Sequence, residues 1–435
     1  MRQLSTRTGY DDRMPGHTNA PRVLAAVVVP PHLSVSGGAR AAEQLSAALA
    51  PHCDITIASM MNGSSSGIEA TVLPRRIAVD SWCSPWLRWS RLPDRYRTLF
   101  YRSNLPKLVS RGGYDLVHLH NPMPALELER TAAACRRHGV PYVISTHGFN
   151  EVANGSRIYG FGRLKRAMWQ ELVVVPVARA VRHAAGIFAL SPADIEIVTQ
   201  MGFKGPVSIV TNGVAVPAAA PAEDQAALLQ RLNIPVAKAP GQMTCMFLAN
   251  HTPNKGLPQL LEAFSRLRQP YLLVIGGEKR DGIDYDRYAS LCGLDQRIIV
   301  TGRLTDAEVA ALFRRSDLFV FPTLADTLPL VVLEAMAHGL PVLATRVGGI
   351  PFQVDESCGL LVPPGDVAAL AAGIGSLAAD PARLAAMGDN ARARVVARFT
   401  WERAAEQALA GYEKALNARV AGPAFGHSTM LADAR

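Results

Sequence analysis

Two carboxylates stand eight positions apart in LADTLPLVVLEAMAHGLPVLATRVGGIP, the stretch from Leu324 to Pro351. Asp326 lies in a short turn. Glu334 lies among Val331, Val332, Leu333, Ala335 and Met336. A carboxylate in apolar surroundings is costly to bury unless donors satisfy it. The paired hydroxyls of a ribose are donors of that kind. Lys255, between Asn254 and Gly256, follows the apolar run QMTCMFLAN and precedes a helical pattern. That order places an ammonium at the end of a strand. A charge pair about 4 Å apart is worth roughly 4 kcal/mol at an effective dielectric near 20. A helix terminus contributes about 0.3–1 kcal/mol, so an anion at this point would be held first by Lys255. Gly37 and Gly38 separate a strand from a helix, where bare amides can approach an anion. The full dinucleotide fingerprint G-x-G-x-x-G is absent there. Each feature also has a plain reading: a tight turn for the glycines, a surface lysine, an N-cap for Asp326 and a solvated helix face for Glu334.

The elements that must position these groups follow from the hydropathy pattern. RVLAAVVVP (22–30) is a continuous β-branched run, as in a strand buried on both faces. A glycine pair, an Ala/Leu helix and the strand DITIAS come next. This is the opening of a doubly wound α/β domain. YDLVHLH, PYVISTHG, AAGIFALS and VSIVTNGV continue it. The alternation restarts at QMTCMFLAN and runs through PYLLVIGGE, RIIVTG, LFVFPT, PVLATRVGG and GLLVPPG. The joint is the Pro/Ala-rich VAVPAAAPAED (214–224). The pattern therefore predicts an α/β protein with two Rossmann-like, doubly wound parallel-sheet domains facing a central cleft. Their spans are 21–214 and 215–396. A helix over 397–417 is expected to pack back toward the first domain, and 1–20 and 418–435 are expected to be disordered tails. The helix carrying Glu334 is expected to start near Leu328–Pro329, because proline is tolerated in a first turn.

A chain of 435 residues with 49% hydrophobic content is long enough for two sizeable cores. Net charge is +9 and uneven: Met1–Ala215 carries 24 basic against 14 acidic residues (+10), and the rest 21 against 22 (−1). The neutral back half argues against a nucleic-acid partner. Six cysteines without paired spacing read as reduced thiols, and the polar N-terminal stretch as a tail without a secretory core. The expected location is cytoplasmic. Between Ser81 and Gly113 stand three Trp, two Tyr and seven basic residues against one Asp. YGFGRLKRAMW (159–169) continues that theme. Basic residues among aromatics suit an anionic lipid surface, so 81–113 and 157–169 are expected to attach the protein peripherally to the inner face of the cytoplasmic membrane. The alternative is a solvated basic helix face.

The ordered set of motifs resembles glycosyltransferase family 4, from about Arg22 to Leu416. The set comprises the pair Gly37–Gly38, DLVHLH, THG, TNGV, NKG, GRL at 302–304, SDLFVFPT, and DTLPLVVLEAMAHGLPVLAT with GGIP and GLLVPPGD behind it. The resemblance implies the GT-B fold and a retaining, metal-independent glycosyltransferase. Its co-substrate would be a nucleotide-diphosphate sugar, with no cofactor. The acceptor would be a glycan or polyprenyl-linked molecule, in bacterial cell-surface or exopolysaccharide assembly. It implies His147, Lys255 and Asp326 as catalytic residues. Donor contacts would come from Gly37, Gly38, Asn250, Lys255, Asp326, Leu328, Leu330, Val331 and Glu334. Two departures stand out. Asp326 replaces the first Glu of the family's Glu-x7-Glu signature. Asn250 replaces an Arg that in the family joins the lysine on the diphosphate, and Arg303 is the expected substitute. His118 and His120 share one strand face and with His147 raise the question of a metal, which the resemblance argues against. DYD (284–286) imitates a metal motif but falls in a loop before a helix. A nucleotide-sugar epimerase on the same fold would lack the paired acids. A non-catalytic nucleotide-sugar-binding protein is the other alternative.

Overall fold

The structure is a computed structural model and describes residues 20–30, 37–60, 74–83, 98–217, 222–279 and 282–421. The first lobe contains β1 (Arg22–Val27), β2 (Asp54–Ser59), β3 (Arg75–Ala78), β4 (Ser81–Cys83), β5 (Tyr101–Ser103), β6 (Leu116–His120), β7 (Tyr142–Ser145), β8 (Gly186–Ala189) and β9 (Val207–Ile209). Seven of these form one sheet in the order β3-β2-β1-β6-β7-β8-β9, while β4 and β5 make a separate antiparallel pair. The second lobe contains β10 (Met243–Leu248), β11 (Tyr271–Gly276), β12 (Gln296–Gly302), β13 (Leu318–Phe321), β14 (Val342–Thr345) and β15 (Gly359–Val362), in the order β12-β11-β10-β13-β14-β15. Both large sheets are parallel throughout. β1, β6, β7, β11, β13 and β14 are almost wholly buried, as helices on both faces of a parallel sheet require.

In each sheet the strand order reverses once, between β1 and β6 and between β10 and β13. Loops leaving the carboxyl ends of such neighbours diverge to opposite faces and open a crevice, where ligands bind in doubly wound sheets. Gly37–Gly38 follow β1, and Asn121 follows β6. Lys255 follows β10, and Asp326 follows β13. The candidate residues therefore stand at both switch points.

The last helix, Trp401–Ala421, crosses back to the first lobe. Its Ala404, Ala408, Tyr412 and Ala415 pack with Val23, Ala25, Leu45 and Phe188. The helix runs past the expected end at 417, because its first breakers are Gly422 and Pro423. The sequence reading missed β3 and the β4–β5 pair, whose three or four residues are too short for a clear alternation. Gly37 and Gly38 open the helix Gly37–Leu49 rather than lying in the loop before it. The tails expected over 1–20 and 418–435 fall mostly outside the described residues, as do residues 84–97 of the basic aromatic segment. Among the described residues, no helix is long and apolar enough to cross a membrane.

Candidate active site between the lobes

Lys255 ends a single 3-10 turn, Pro253–Lys255, and Gly256 then turns left-handed at φ 71° to start the helix Leu257–Ser265. A Cβ on Gly256 would lie 1.9 Å from the Pro322 carbonyl oxygen, so only glycine lets this loop close on the segment after β13. The two loops are joined by hydrogen bonds. Leu324 N donates to Asn254 O at 2.7 Å, and Thr323 Oγ1 lies 3.0 Å from the same oxygen. On this frame Lys255 Nζ meets both carboxylate oxygens of Asp326 at 2.8 Å. Thr323 Oγ1 donates to Asp326 Oδ2 at 2.7 Å. The ammonium also lies 5.7 Å from the centre of the Phe321 ring. The lysine and the acid, expected as separate ligands, form one half-buried pair.

Pro329 caps the next helix, which spans Leu330–Ala337, two residues later than expected. Pro329 has ψ 125° and so stays outside the helix. Glu334 is therefore the fifth helical residue, little more than one turn in. Burial raises its carboxyl above the usual carboxylate range; Arg40 opposes that shift and Asp306 adds to it. Arg40 belongs to the first lobe, and its Nη1 lies 3.5 Å from Glu334 Oε1. A second contact from that lobe is Asn150 Nδ2, which lies 3.4 Å from the Asp326 carbonyl oxygen. The Glu334 carboxylate thus faces the opposite lobe, while Asp326 meets that lobe through its backbone carbonyl and turns its carboxylate to Lys255 and Thr323. A third bridge joins Asn212 Nδ2 to the Leu328 carbonyl at 2.7 Å, which engages Leu328 at the lobe junction. Leu330 and Val331 are partly buried in the first turn of the same helix. Asn250 leaves β10 in the loop that leads to Lys255, and its carbonyl accepts the Thr252 amide at 2.8 Å. Arg303, the expected substitute for a cation there, pairs through Nη2 with Glu278 Oε2 at 3.0 Å.

Across the cleft, His147 follows β7 and its side chain lies over the backbone of Gly38. A Cβ on Gly38 would be 3.4 Å from the His147 Cβ and would collide with Asn121 Oδ1 at 1.9 Å. This close approach requires glycine at position 38. Burial pushes the His147 imidazole down to about 4. Its neighbour Thr146 donates to Asp194 Oδ2 at 2.7 Å, and that oxygen also accepts Leu190 N at 3.0 Å. Burial raises Asp194 to about 6. His118 has both nitrogens engaged, Nδ1 with Tyr412 OH at 2.8 Å and Nε2 with Ser145 Oγ at 2.7 Å. The His120 ring stacks 3.8 Å from it with neither nitrogen bonded. Among the described residues, no group of three His, Cys, Asp or Glu is placed to hold a metal ion. Asp284 is a helix cap, accepting from the Arg287 amide at 3.1 Å.

Arg40, Asn121, Asn150 and Thr323 escaped the sequence reading. Asn121 has a left-handed backbone, φ 68°, and a buried amide nitrogen without a partner. Its position directly after the strand histidines was a usable signal. Asn150 carried none, since only the packing of the lobes brings it to Asp326.

Two parallel-sheet lobes, each with one switch point, define the two-domain GT-B fold. The chain belongs to glycosyltransferase family 4: residues 35–216 match the family described as Glycosyltransferase Family 4, and residues 242–380 match Glycosyl transferases group 1. A D-inositol 3-phosphate glycosyltransferase of Streptomyces bingchenggensis is 30% identical over 70% of this chain and 68% of its own. An MMP alpha-(1->4)-mannosyltransferase of Mycolicibacterium hassiacum is 38% identical over 39% of this chain, a match that spans less than half (42%) of that enzyme. Among solved structures, sucrose-phosphate synthase from Thermosynechococcus elongatus superposes with a TM-score of 0.67 at 23% identity, over 91% of this chain and 100% of that one. Anabaena HepE in complex with UDP-glucose gives 0.67 at 18% identity, over 90% and 99%. These two structures share the fold.

Proposed function

We propose that the protein transfers a sugar, with retention and without a metal, from a nucleotide-diphosphate sugar to a glycan or lipid-linked acceptor. The observation that supports this reading is the Lys255–Asp326 pair after β10 and β13, with Glu334 on the helix that follows Asp326 and 3.5 Å from Arg40 of the other lobe. The solved relative with UDP-glucose bound supports a donor of this class. Glu334 takes the ribose hydroxyls, which satisfy a carboxylate that burial disfavours. Lys255 lies where charge builds on the leaving phosphate as the sugar–oxygen bond breaks. Asp326, aimed by Thr323 and Lys255, orients the sugar. The acceptor hydroxyl attacks the face the phosphate leaves, and its proton passes to a leaving phosphate oxygen, so no protein base is assigned. His147, neutral at physiological pH, offers a ring nitrogen to the sugar or acceptor.

A thermal-shift screen against nucleotide sugars identifies the donor, because a ligand that binds the folded state raises its melting temperature by mass action. With that donor, Glu334→Ala is expected to raise KM roughly 10- to 50-fold while kcat changes less, the signature of lost ground-state binding. Native transfer kinetics in this variant would overturn the assignment. Absence of both transfer and slow diphosphate release in the unaltered protein would favour a binding role without catalysis.

Peripheral attachment to an anionic membrane belongs to the same reading. Helix Arg163–Trp169 buries none of its residues, leaving Leu164 76% and Met168 50% exposed beside Arg163, Lys165 and Arg166. Each basic residue near such a surface adds about 1 kcal/mol. The protein is expected to float with phosphatidylglycerol-containing vesicles and to remain behind with pure phosphatidylcholine. Equal behaviour with both would remove this part of the proposal.

A further inference from the structure

Arg40 reaches across the cleft from the first turn of the helix Gly37–Leu49. Its side chain is 52% exposed, and its guanidinium lies between two acids of the other lobe, 3.5 Å from Glu334 and 3.8 Å from Asp306. Both distances exceed the roughly 2.7–2.9 Å of a charge-assisted hydrogen bond. Arg40 is therefore held by the field of two carboxylates and not by a fixed bond. Lys255, by contrast, gives two of its three N–H donors to Asp326 at 2.8 Å.

Donor binding changes this balance. When ribose hydroxyls occupy Glu334, they take the acceptor oxygens nearest the guanidinium. The 5′-phosphate hangs from the same furanose ring and brings new negative charge beside it. A guanidinium presents a planar fork of donors that matches phosphate oxygens. We propose that Arg40 is a ligand of the donor diphosphate and closes the first lobe onto the second through it. Lys255 then meets the phosphate nearer the sugar, and Arg40 the one nearer the ribose. This inference rests on the donor reading above, and it makes Glu334 an anchor for the guanidinium that gives way on donor binding.

The test is calorimetric titration of the full chain with UDP, GDP and ADP and with the matching nucleosides, for the unaltered protein, Arg40→Gln and Arg40→Lys. Arg40→Gln is expected to weaken the preferred diphosphate about 10- to 100-fold, the loss of a charge-assisted bond. Nucleoside affinity should stay within about threefold, because the furanose contacts are kept. Arg40→Lys should fall between, with a steeper dependence on salt than Arg40→Gln. Unchanged or tighter diphosphate binding in Arg40→Gln would overturn the proposal and show that Arg40 only neutralises Glu334. Equal losses of diphosphate and nucleoside would overturn it too, as the mark of a merely structural residue. If the unaltered protein binds none of the diphosphates, the donor reading itself fails and this inference with it.

Discussion

Lys255→Met is expected to lower kcat/KM for sugar transfer by about two to three orders of magnitude, the usual loss when a preorganised partner of developing charge is removed. The ammonium lies at the switch point between β10 and β13, largely enclosed, over the Phe321 ring. Its field acts through low-dielectric surroundings, where a charge is worth more than in water. Methionine keeps the stem and removes the charge, so packing against Phe321 survives. The variant also leaves Asp326 with Thr323 as its remaining partner. That second loss makes the effects of Lys255 and Asp326 non-additive: Lys255→Met should cost less in an Asp326→Ala background than alone. Lys255→Arg is expected to restore little, because a planar fork does not replace a compact ammonium in a loop closed at Gly256. Steady-state kinetics on the four members of the cycle decide it. Strict additivity would mean that the two groups act on separate parts of the donor.

The first lobe is expected to lose stability as pH falls from about 6.5 toward 4. Three buried imidazoles cause this. Burial, with His147 adding, pushes His118 down to about 3; burial with both neighbours pushes His120 well below the usual histidine range; burial pushes His147 to about 4. A base whose folded value is depressed binds fewer protons folded than unfolded through that window. Its stabilisation is therefore full above the unfolded value near 6.5 and is lost as pH falls through the folded one. The groups facing the cluster are Ser145, Phe188 and Tyr412, and Tyr412 is itself kept neutral by burial. Asp194, raised to about 6, works the other way, since protonation below that value relieves a cost it carries at neutral pH. Glu127, which burial also raises, acts in the same sense as Asp194. The three histidines outweigh the two acids and set the sign of the change, a net loss as pH falls toward 4. Denaturant titrations at pH 7, 6, 5 and 4 measure it. His120→Leu should flatten the dependence, because it removes an imidazole that has no hydrogen-bond partner to lose. Constant stability from pH 7 to 4 would show that the imidazoles are not buried in solution.

Much of the architecture was legible in the sequence because its signals are local. Continuous β-branched runs mark strands buried on both faces, and their alternation with helices allows few connections other than a doubly wound sheet. Lys255 and Asp326 were legible for the same reason, each directly after a strand that such a sheet places beside the other. The start of the Glu334 helix was misjudged by two residues, because Pro329 can serve as cap or as first turn and its ψ chooses. Arg303, named as a substitute cation without a local signal, pairs with Glu278 on an exposed surface.

From sequence alone came the two α/β lobes, the order of their strands along the chain, the lysine and one acid after strand ends, and the second acid in the helix that follows. Tertiary structure decided which groups meet: Lys255 with Asp326, Arg40 with Glu334, Asn150 with the Asp326 carbonyl, and His118 with a tyrosine 294 positions away. The physical reason is range. Hydropathy period and turn chemistry act over a few residues. A contact between lobes depends on the summed geometry of every element in between, and no local pattern records that sum.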